Sequence, residues 1–303
     1  MSKPTRKTVL IFLDTDKHTS PFDMLTAIDL YPDAQILPYS NVEADDARRI
    51  IQDAMFPRGP KGAKHTKIFI GGQDMEKALN ILKVAKKTMF PPFELTVIVD
   101  PRGAYTTASA AVAQTLALFK KRFGDFNEKN VTVLAGTGPV GQVAAHLYAM
   151  EGVNVIVTSR KLQRATSVAN KINEKIEIKR VRGAQASTPD ENGEAIKQAD
   201  IILSAGAAGI QLLPMSVLKD YGKRCKVVGD INAVPPLGVE GLKPTDNGVD
   251  FLSGTLGIGA LAIGPFKSKI EAELFKRAVE SSKGILDYKV AYNIAKSIAM
   301  PSN

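Results

Sequence analysis

The chain has 303 residues, 44% of them hydrophobic and 23% charged, which suits a soluble protein large enough for two domains. One cysteine, Cys225, excludes an intramolecular disulfide framework and argues against a thiolate metal site, so a reducing cytoplasmic setting is expected. The net charge of +9 comes from dispersed cations without aromatic interleaving or a nucleic-acid-binding motif, which favours small anionic ligands over a nucleic-acid partner.

The N-terminal apolar stretch is only Val9 to Leu13, too short for a secretory leader, and predicts a first strand over Thr8–Leu13. A helix over Phe22–Asp29, a short strand over Ala34–Leu37 and an amphipathic helix over Glu43–Ala54 follow. Arg58 to Lys67, with Lys61, Lys64 and His65, reads as a solvated basic loop before the strand Lys67–Gly71. A helix over Asp74–Lys87, a strand over Leu95–Val99 and a long helix over Thr106–Phe123 complete a βα alternation, the pattern of a parallel sheet covered by helices. The Ala-rich part of that last helix carries Thr, Ser and Gln and is too short to span a bilayer, so no membrane crossing is expected.

The polar stretch 124–130 marks a boundary, after which Val131–Leu134 enters Gly136-Thr137-Gly138-Pro139-Val140-Gly141 and an Ala-rich helix leaves it. Strand, Gly-x-Gly-x-x-Gly turn and helix form a dinucleotide-binding unit. Gly136 serves the tight turn, Gly138 the approach of a pyrophosphate and Gly141 the close packing of helix on strand. A second strand, Val153–Val157, ends at Ser159-Arg160-Lys161. An NAD site favours Asp or Glu there, whereas a hydroxyl and cations suit a 2′-phosphate, so NADP is expected, with NAD as a weaker alternative. A helix over Gln163–Lys175, a strand around Ile176–Arg180, a helix over Gly193–Lys197 and strands over Asp200–Ser204 and Lys226–Gly229 complete a Rossmann-type domain. From Ile270 to Ala299 the spacing reads as helical.

The fold class expected is therefore α/β and two-lobed. A parallel N-terminal α/β domain covers 1–126, a Rossmann-type NADP-binding domain covers 127–268, and a C-terminal helical segment over 269–303 returns to the first lobe. Ligands of such sheets bind at the C-terminal ends of the strands. In the first lobe this selects Asp14 to Asp23, Tyr39 to Asn41, Gly71 to Asp74, and Asp100 to Arg102 with Thr106 and Thr107. In the second it selects Ser204-Ala205-Gly206, Asp230 to Asn232 and the glycine-rich Gly254–Gly264. Ser20, before Pro21 and three residues from Asp23, also reads as a helix start. Asp14 and Asp16 lack His or Cys company, so no metal is expected. His65 and His146 read as structural or exposed. There is no nucleophile elbow, Cys–His pair or Walker lysine, and a hydride transfer that moves no proton needs none of them.

Taken together, these motifs resemble the bacterial methylene-tetrahydromethanopterin dehydrogenases. The likeness runs from Leu13-Asp-Thr-Asp16, Ser20-Pro-Phe-Asp23, Ile70-Gly-Gly-Gln-Asp-Met75 and Thr106-Thr-Ala108 to the glycine turn, Ser159-Arg-Lys161 and Ser204-Ala-Gly206. It continues through Asn232-Ala-Val-Pro-Pro236, Leu256-Gly-Ile-Gly-Ala260, Lys267 and Glu280-Ser-Ser282. The resemblance implies oxidation of a methylene-pterin to its methenyl form with NADP, and a homo-oligomer, trimer or hexamer. It implies Asp100 and Lys267 as catalytic residues and Asp16, His18, Thr19, Ser20, Pro21, Phe22, Asn41, Asp53, Thr106 and Thr107 around the pterin. Cofactor contacts fall to residues 136–141, Ser159, Arg160, Lys161, Ser204, Ala205, Gly206 and Asn232. The Lys17–Asp23 and Gln52–Phe56 stretches resemble a branch using either nucleotide, and Ser159–Lys161 the NADP-specific branch. Alternatives are a methylene-tetrahydrofolate dehydrogenase of the same fold, a shikimate-type dehydrogenase pairing Lys17 or Lys64 with Asp100, and a non-catalytic NADP-binding sensor.

Overall fold

The computed structural model describes residues 6–301, so Met1 to Thr5, which open the stretch weighed as a leader, lie outside it. In chain order the elements begin with β1 (Val9–Asp14), α1 (Pro21–Leu30), β2 (Gln35–Tyr39), α2 (Ala44–Met55), α3 (Gly59–Ala63), β3 (Thr66–Gly71), α4 (Met75–Thr88) and β4 (Thr96–Val99). A 3-10 turn at Pro101–Gly103 leads into α5 (Ala104–Phe123). Then come β5 (Asn130–Leu134), α6 (Pro139–Met150), β6 (Asn154–Ser159), α7 (Leu162–Ile176), β7 (Val181–Gln185) and α8 (Pro189–Ile196). They are followed by β8 (Ile201–Ser204), α9 (Met215–Tyr221), β9 (Val227–Asp230), β10 (Asn247–Leu252) and β11 (Thr255–Ile258). The chain closes with α10 (Ala260–Glu280), β12 (Gly284–Leu286) and α11 (Tyr288–Ala299).

The chain divides into two compact units. The first runs through Thr106 and regains Lys269–Ile294, and the second holds Thr107–Ser268 and the chain from Ala295. The division falls inside α5, between Thr106 and Thr107, and not at the polar stretch after that helix.

The first unit holds a parallel five-stranded sheet, order β12-β4-β3-β1-β2. β3 and β4 are buried along their whole length, as strands covered on both faces must be. Phe69 of β3 stacks between Phe12 of β1, at 4.8 Å, and Phe275 of α10, at 5.7 Å, in a core with Leu10, Ala27 and Ile98. The chain leaves β1 toward β2 and returns on its other side as β3, so the topological switch lies between β1 and β3. The second unit holds a seven-stranded sheet, order β10-β11-β9-β8-β5-β6-β7, parallel except for β10 against β11. Its switch lies between β5 and β8, over a core that includes Leu134, Ile202 and Val228.

Four expectations need correction. The strand expected at Ile176–Arg180 lies at Val181–Gln185. α7 ends with Glu177 in the left-handed region at φ 58°, and the Asn173 side chain holds the return by accepting from Arg180 N and Val181 N. Gly183 allows the close contact of β7 with α7: a Cβ there would stand 2.4 Å from Thr166 N. The glycine-rich Gly254–Gly264 stretch is strand β11, parallel to β9 and antiparallel to β10, and the start of α10. The C-terminal segment is two helices separated by β12, because Gly284, at φ 134°, breaks the periodic run. Finally, the basic loop at Arg58–Lys67 contains helix α3, and Lys67 is a fully buried member of β3. Its long side chain reaches the Ser281 carbonyl, to which Nζ donates.

Candidate active site

Each glycine of the turn after β5 meets a different surrounding. A Cβ on Gly136 would stand 2.8 Å from the Val133 carbonyl, and one on Gly141 would stand 2.6 Å from Gly136 Cα. Both positions require glycine for packing within the protein. A Cβ on Gly138 would meet only the Ala135 carbonyl, at 3.8 Å, and Gly138 itself has an ordinary φ of −75°. The space above Gly138 is therefore open, as approach of a pyrophosphate requires. α6 begins at Pro139 with no side-chain cap, leaving its first N–H groups and dipole for an anion. Ala135 adopts φ 51°, and its N–H donates to Thr158 Oγ1 at 3.0 Å, which turns the chain sharply out of the sheet.

A cavity of about 530 Å³ opens over this turn. Of the residues expected to touch a cofactor, Thr137, Gly138, Pro139, Val140, Ser159, Arg160, Ala205 and Gly206 line it. Gly136 and Gly141 lie beneath, as packing glycines. Lys161 is not among the lining residues; it is the N-cap position of α7, and its N–H donates to Ser159 Oγ at 3.4 Å. Arg164, one helical turn beyond Arg160, lines the cavity instead, together with Asn192 of α8. Sequence reasoning missed both, although the four-residue spacing of the arginines was a usable signal for Arg164. The cavity's hydroxyl, exposed cations and open glycine fit a dinucleotide carrying a 2′-phosphate.

Ser204 and Asn232 differ from expectation. Ser204 is fully buried at the end of β8, beside Asp230. Asn232 is 4% exposed, and its side chain holds its own loop: Oδ1 accepts from Val234 N at 2.8 Å and Gly209 N at 3.3 Å, and Nδ2 donates to the Pro236 carbonyl at 3.0 Å. Both are supports, with Ile231 presented to the cavity in between. Asp230 Oδ1 and Oδ2 accept from Asn232 N, at 3.1 Å, and Val239 N, at 3.0 Å, closing the loop at both ends. Burial raises the Asp230 pKa above the ordinary carboxylate value, and these hydrogen bonds oppose the shift.

In the first unit the expected loops do converge over the C-terminal ends of β1, β3 and β4. Asp14 is buried, and its carboxylate accepts from Asp16 N and Ser20 N, both at 2.9 Å, folding the loop before α1. His18, Pro21 and Phe22 are exposed, Thr19 is half-buried and Ser20 is buried. Asn41 is exposed in the left-handed region, and its N–H donates to the Asp16 carbonyl at 2.6 Å. The carboxylate of Asp16 is engaged by Arg102 and by the Gln73 N–H.

Asp100, expected as a catalytic residue, is engaged within the protein. It is 1% exposed; Oδ1 accepts from Tyr105 N at 2.8 Å and Thr106 N at 3.3 Å, and Oδ2 from Thr106 Oγ1 at 2.6 Å. It fixes the start of α5, and Thr106, fully buried, is engaged with it. Thr107, next on the helix, is half-buried. Asp53 is exposed two residues from the end of α2, which returns from the β2 loop toward the start of β3. That places it at the opposite end of the sheet from the loop cluster. Lys267 is 7% exposed on α10, beyond the first turn of that helix, and falls in the second unit. Cys225 is buried against β9, with its thiol pushed up to about 12 by desolvation. Among the described residues no group of His, Cys, Asp or Glu could hold a metal, and no helix is long and apolar enough to cross a membrane.

Residues 21–102, which carry the loops after β2, β3 and β4, match the family profile described as methylene-tetrahydromethanopterin dehydrogenase, N-terminal. Over 97% of its length the chain is 35% identical to an NAD(P)-dependent methylenetetrahydromethanopterin dehydrogenase of Methylorubrum extorquens, covering 99% of that protein. The chain belongs to the methylenetetrahydromethanopterin dehydrogenase family. A second Methylorubrum extorquens member, the bifunctional protein MdtA, is 36% identical over 97% of this chain and 99% of its own. Residues 117–236 match the shikimate / quinate 5-dehydrogenase profile. The same two-sheet fold occurs in the shikimate 5-dehydrogenase of Listeria monocytogenes solved with shikimate and NAD (16% identity, 97% of this chain, 99% of that one, TM-score 0.52). It also occurs in the quinate dehydrogenase of Corynebacterium glutamicum with NAD (12%, 95%, 98%, TM-score 0.51).

Proposed function

We propose that the protein oxidises methylene-tetrahydromethanopterin reversibly to the methenyl form, with NADP as the redox partner and NAD as a weaker one. Near-full-length identity to the Methylorubrum extorquens dehydrogenase carries this reading. NADP, when bound, supplies the hydride acceptor. On the protein side, the open face at Gly138 and the α6 N-terminus receive the pyrophosphate, and Ser159, Arg160 and Arg164 hold the 2′-phosphate. The Asp14–Phe22, Asn41 and Gly71–Gln73 loops of the first unit orient the pterin.

Loss of hydride from the methylene carbon leaves a delocalised amidinium-like cation and releases no proton, so no side chain has to act as acid or base. This agrees with the engagement of Asp100 and Asp16 in backbone and ion-pair contacts. Lys267, nearly buried on α10, is carried into this reading as a catalytic residue on the family resemblance. The working protein is a cytoplasmic homo-oligomer, a trimer or hexamer, for which exposed Leu25, Leu37 and Tyr39 on α1 and the edge strand β2 supply apolar surface.

The test follows NADPH absorbance with methylene-tetrahydromethanopterin and with methylene-tetrahydrofolate, each with NADP and NAD. Turnover with the methanopterin carrier and NADP is expected. Activity confined to the folate carrier would move the protein to the folate reading, and inactivity with both would leave a nucleotide-binding protein without this reaction.

A further inference from the structure

We propose that Asp16 is the positioning residue of the first unit's ligand site: locked by Arg102, it sets the loops that recognise the pterin without touching it. The inference rests on the function proposed above. The loops that follow four neighbouring strands, β2, β1, β3 and β4, are tied to this one residue. Asp16 N donates to Asp14 Oδ1 at 2.9 Å, within the β1 loop. The Asp16 carbonyl accepts from Asn41 N, after β2, at 2.6 Å. Oδ1 accepts from Gln73 N, after β3, at 2.9 Å. Oδ2 accepts from Arg102 Nε at 2.9 Å and Nη2 at 2.6 Å, after β4. The cluster straddles the switch between β1 and β3, where ligands of such sheets bind.

Two of the tied residues hold strained backbone. Asn41 has φ 53° and Arg102 φ 49°, conformations that persist in L-residues only when their surroundings hold them. The Arg102–Asp16 pair is partly exposed, with side chains 43% and 19% accessible, so it contributes little to global stability. Its consequence is geometric. A shift of about 1 Å in loops that orient a reactant lowers rates by up to about a hundredfold.

The test uses the full chain with NADP and the variants Asp16→Asn, Arg102→Met, Arg102→Lys and the double Asp16→Asn/Arg102→Met. Either disruptive single substitution should raise KM for methylene-tetrahydromethanopterin by about tenfold or more, with KM for NADP within about twofold. The melting temperature should fall by less than about 4 °C. The double variant should be no worse than the weaker single, because both remove one tie. Arg102→Lys, keeping one donor, should recover part of the loss. Unchanged pterin KM, or KM for both substrates rising alongside a large loss of melting temperature, would overturn the proposal.

Should the unmodified protein not turn over this pterin, the proposed reaction fails and the tie is still read by amide hydrogen exchange. Arg102→Met should then speed exchange by about tenfold across the loops at 15–20, 41–43 and 71–74 together. Unchanged protection in the loops other than Arg102's own would remove the hub.

Discussion

Lys67 Nζ, fully buried in β3, donates to the carbonyl of Ser281 just past the end of α10 and to Thr96 Oγ1 of β4 at 3.4 Å. A cation at the C-terminal end of α10 has a favourable dipole, and both of these hydrogen-bond partners are neutral oxygens. Desolvation lowers its pKa from 10.5 to about 8.

The folded protein therefore releases this proton near pH 8, whereas the unfolded chain holds it to about pH 10.5. Within that window the unfolded state binds more protons, so the Lys67 contribution to stability rises with pH, by at most roughly 1.4 kcal/mol per unit. Below pH 8 both states are protonated and the slope vanishes. Tyrosines and other lysines titrate in the same range, so the quantity to measure is the difference in urea midpoint between the native protein and Lys67→Met. Lys67→Met should gain on the native protein as the pH falls from 10 to 8; parallel curves would show that Lys67 titrates normally.

Gly138 and Gly141 should respond in opposite ways to alanine. Gly141→Ala drives a methyl into the Gly136 backbone and should destabilise by about 1–3 kcal/mol. Gly138→Ala meets open space, so its stability should stay within about 0.5 kcal/mol while NADP affinity falls. Thermal unfolding and NADPH fluorescence titration separate the two. Retained affinity in Gly138→Ala would move the pyrophosphate elsewhere.

Arg160→Ala and Arg164→Ala should each weaken NADP binding by roughly tenfold to 150-fold, the equivalent of a charge-assisted hydrogen bond, with little effect on NAD. Lys161→Ala, outside the cavity lining, should discriminate far less between the two nucleotides. Ratios of kcat/KM for NADP and NAD measure this. Equal losses for both nucleotides would show that the arginines do not read the 2′-phosphate.

Asp100→Asn keeps one acceptor for the Tyr105 and Thr106 amides but loses the paired geometry, and should destabilise by about 1 kcal/mol. Turnover should fall by less than about tenfold, 1.4 kcal/mol of barrier, once the variant is folded. A larger drop in kcat at full occupancy would return Asp100 to the chemistry.

Much of the second unit was legible before the structure because its signals are local. Gly136, Gly138 and Gly141 act within one turn, and Ser159-Arg160 stands directly at a strand end. Where the reading slipped, the deciding contact was distant. Lys67 looked like one of several loop cations, and only Thr96 and Ser281 make it interior. Ile176–Arg180 alternated like a strand, but Asn173 and Gly183 place the strand five residues later. Asp100, Asp16 and Asn232 were sound as strand-end residues, but the sequence did not show that protein donors hold their side chains: Tyr105 and Thr106 on Asp100, Gln73 and Arg102 on Asp16, Val234 and Gly209 on Asn232.

By itself the sequence determined the βα alternation and the strand–turn–helix unit, since periodicity and glycine spacing act over a few residues. Only the tertiary structure decided which polar groups remain available to a ligand. A carboxylate accepts a limited number of hydrogen bonds, and whether protein or ligand supplies the donors depends on what the fold brings alongside it.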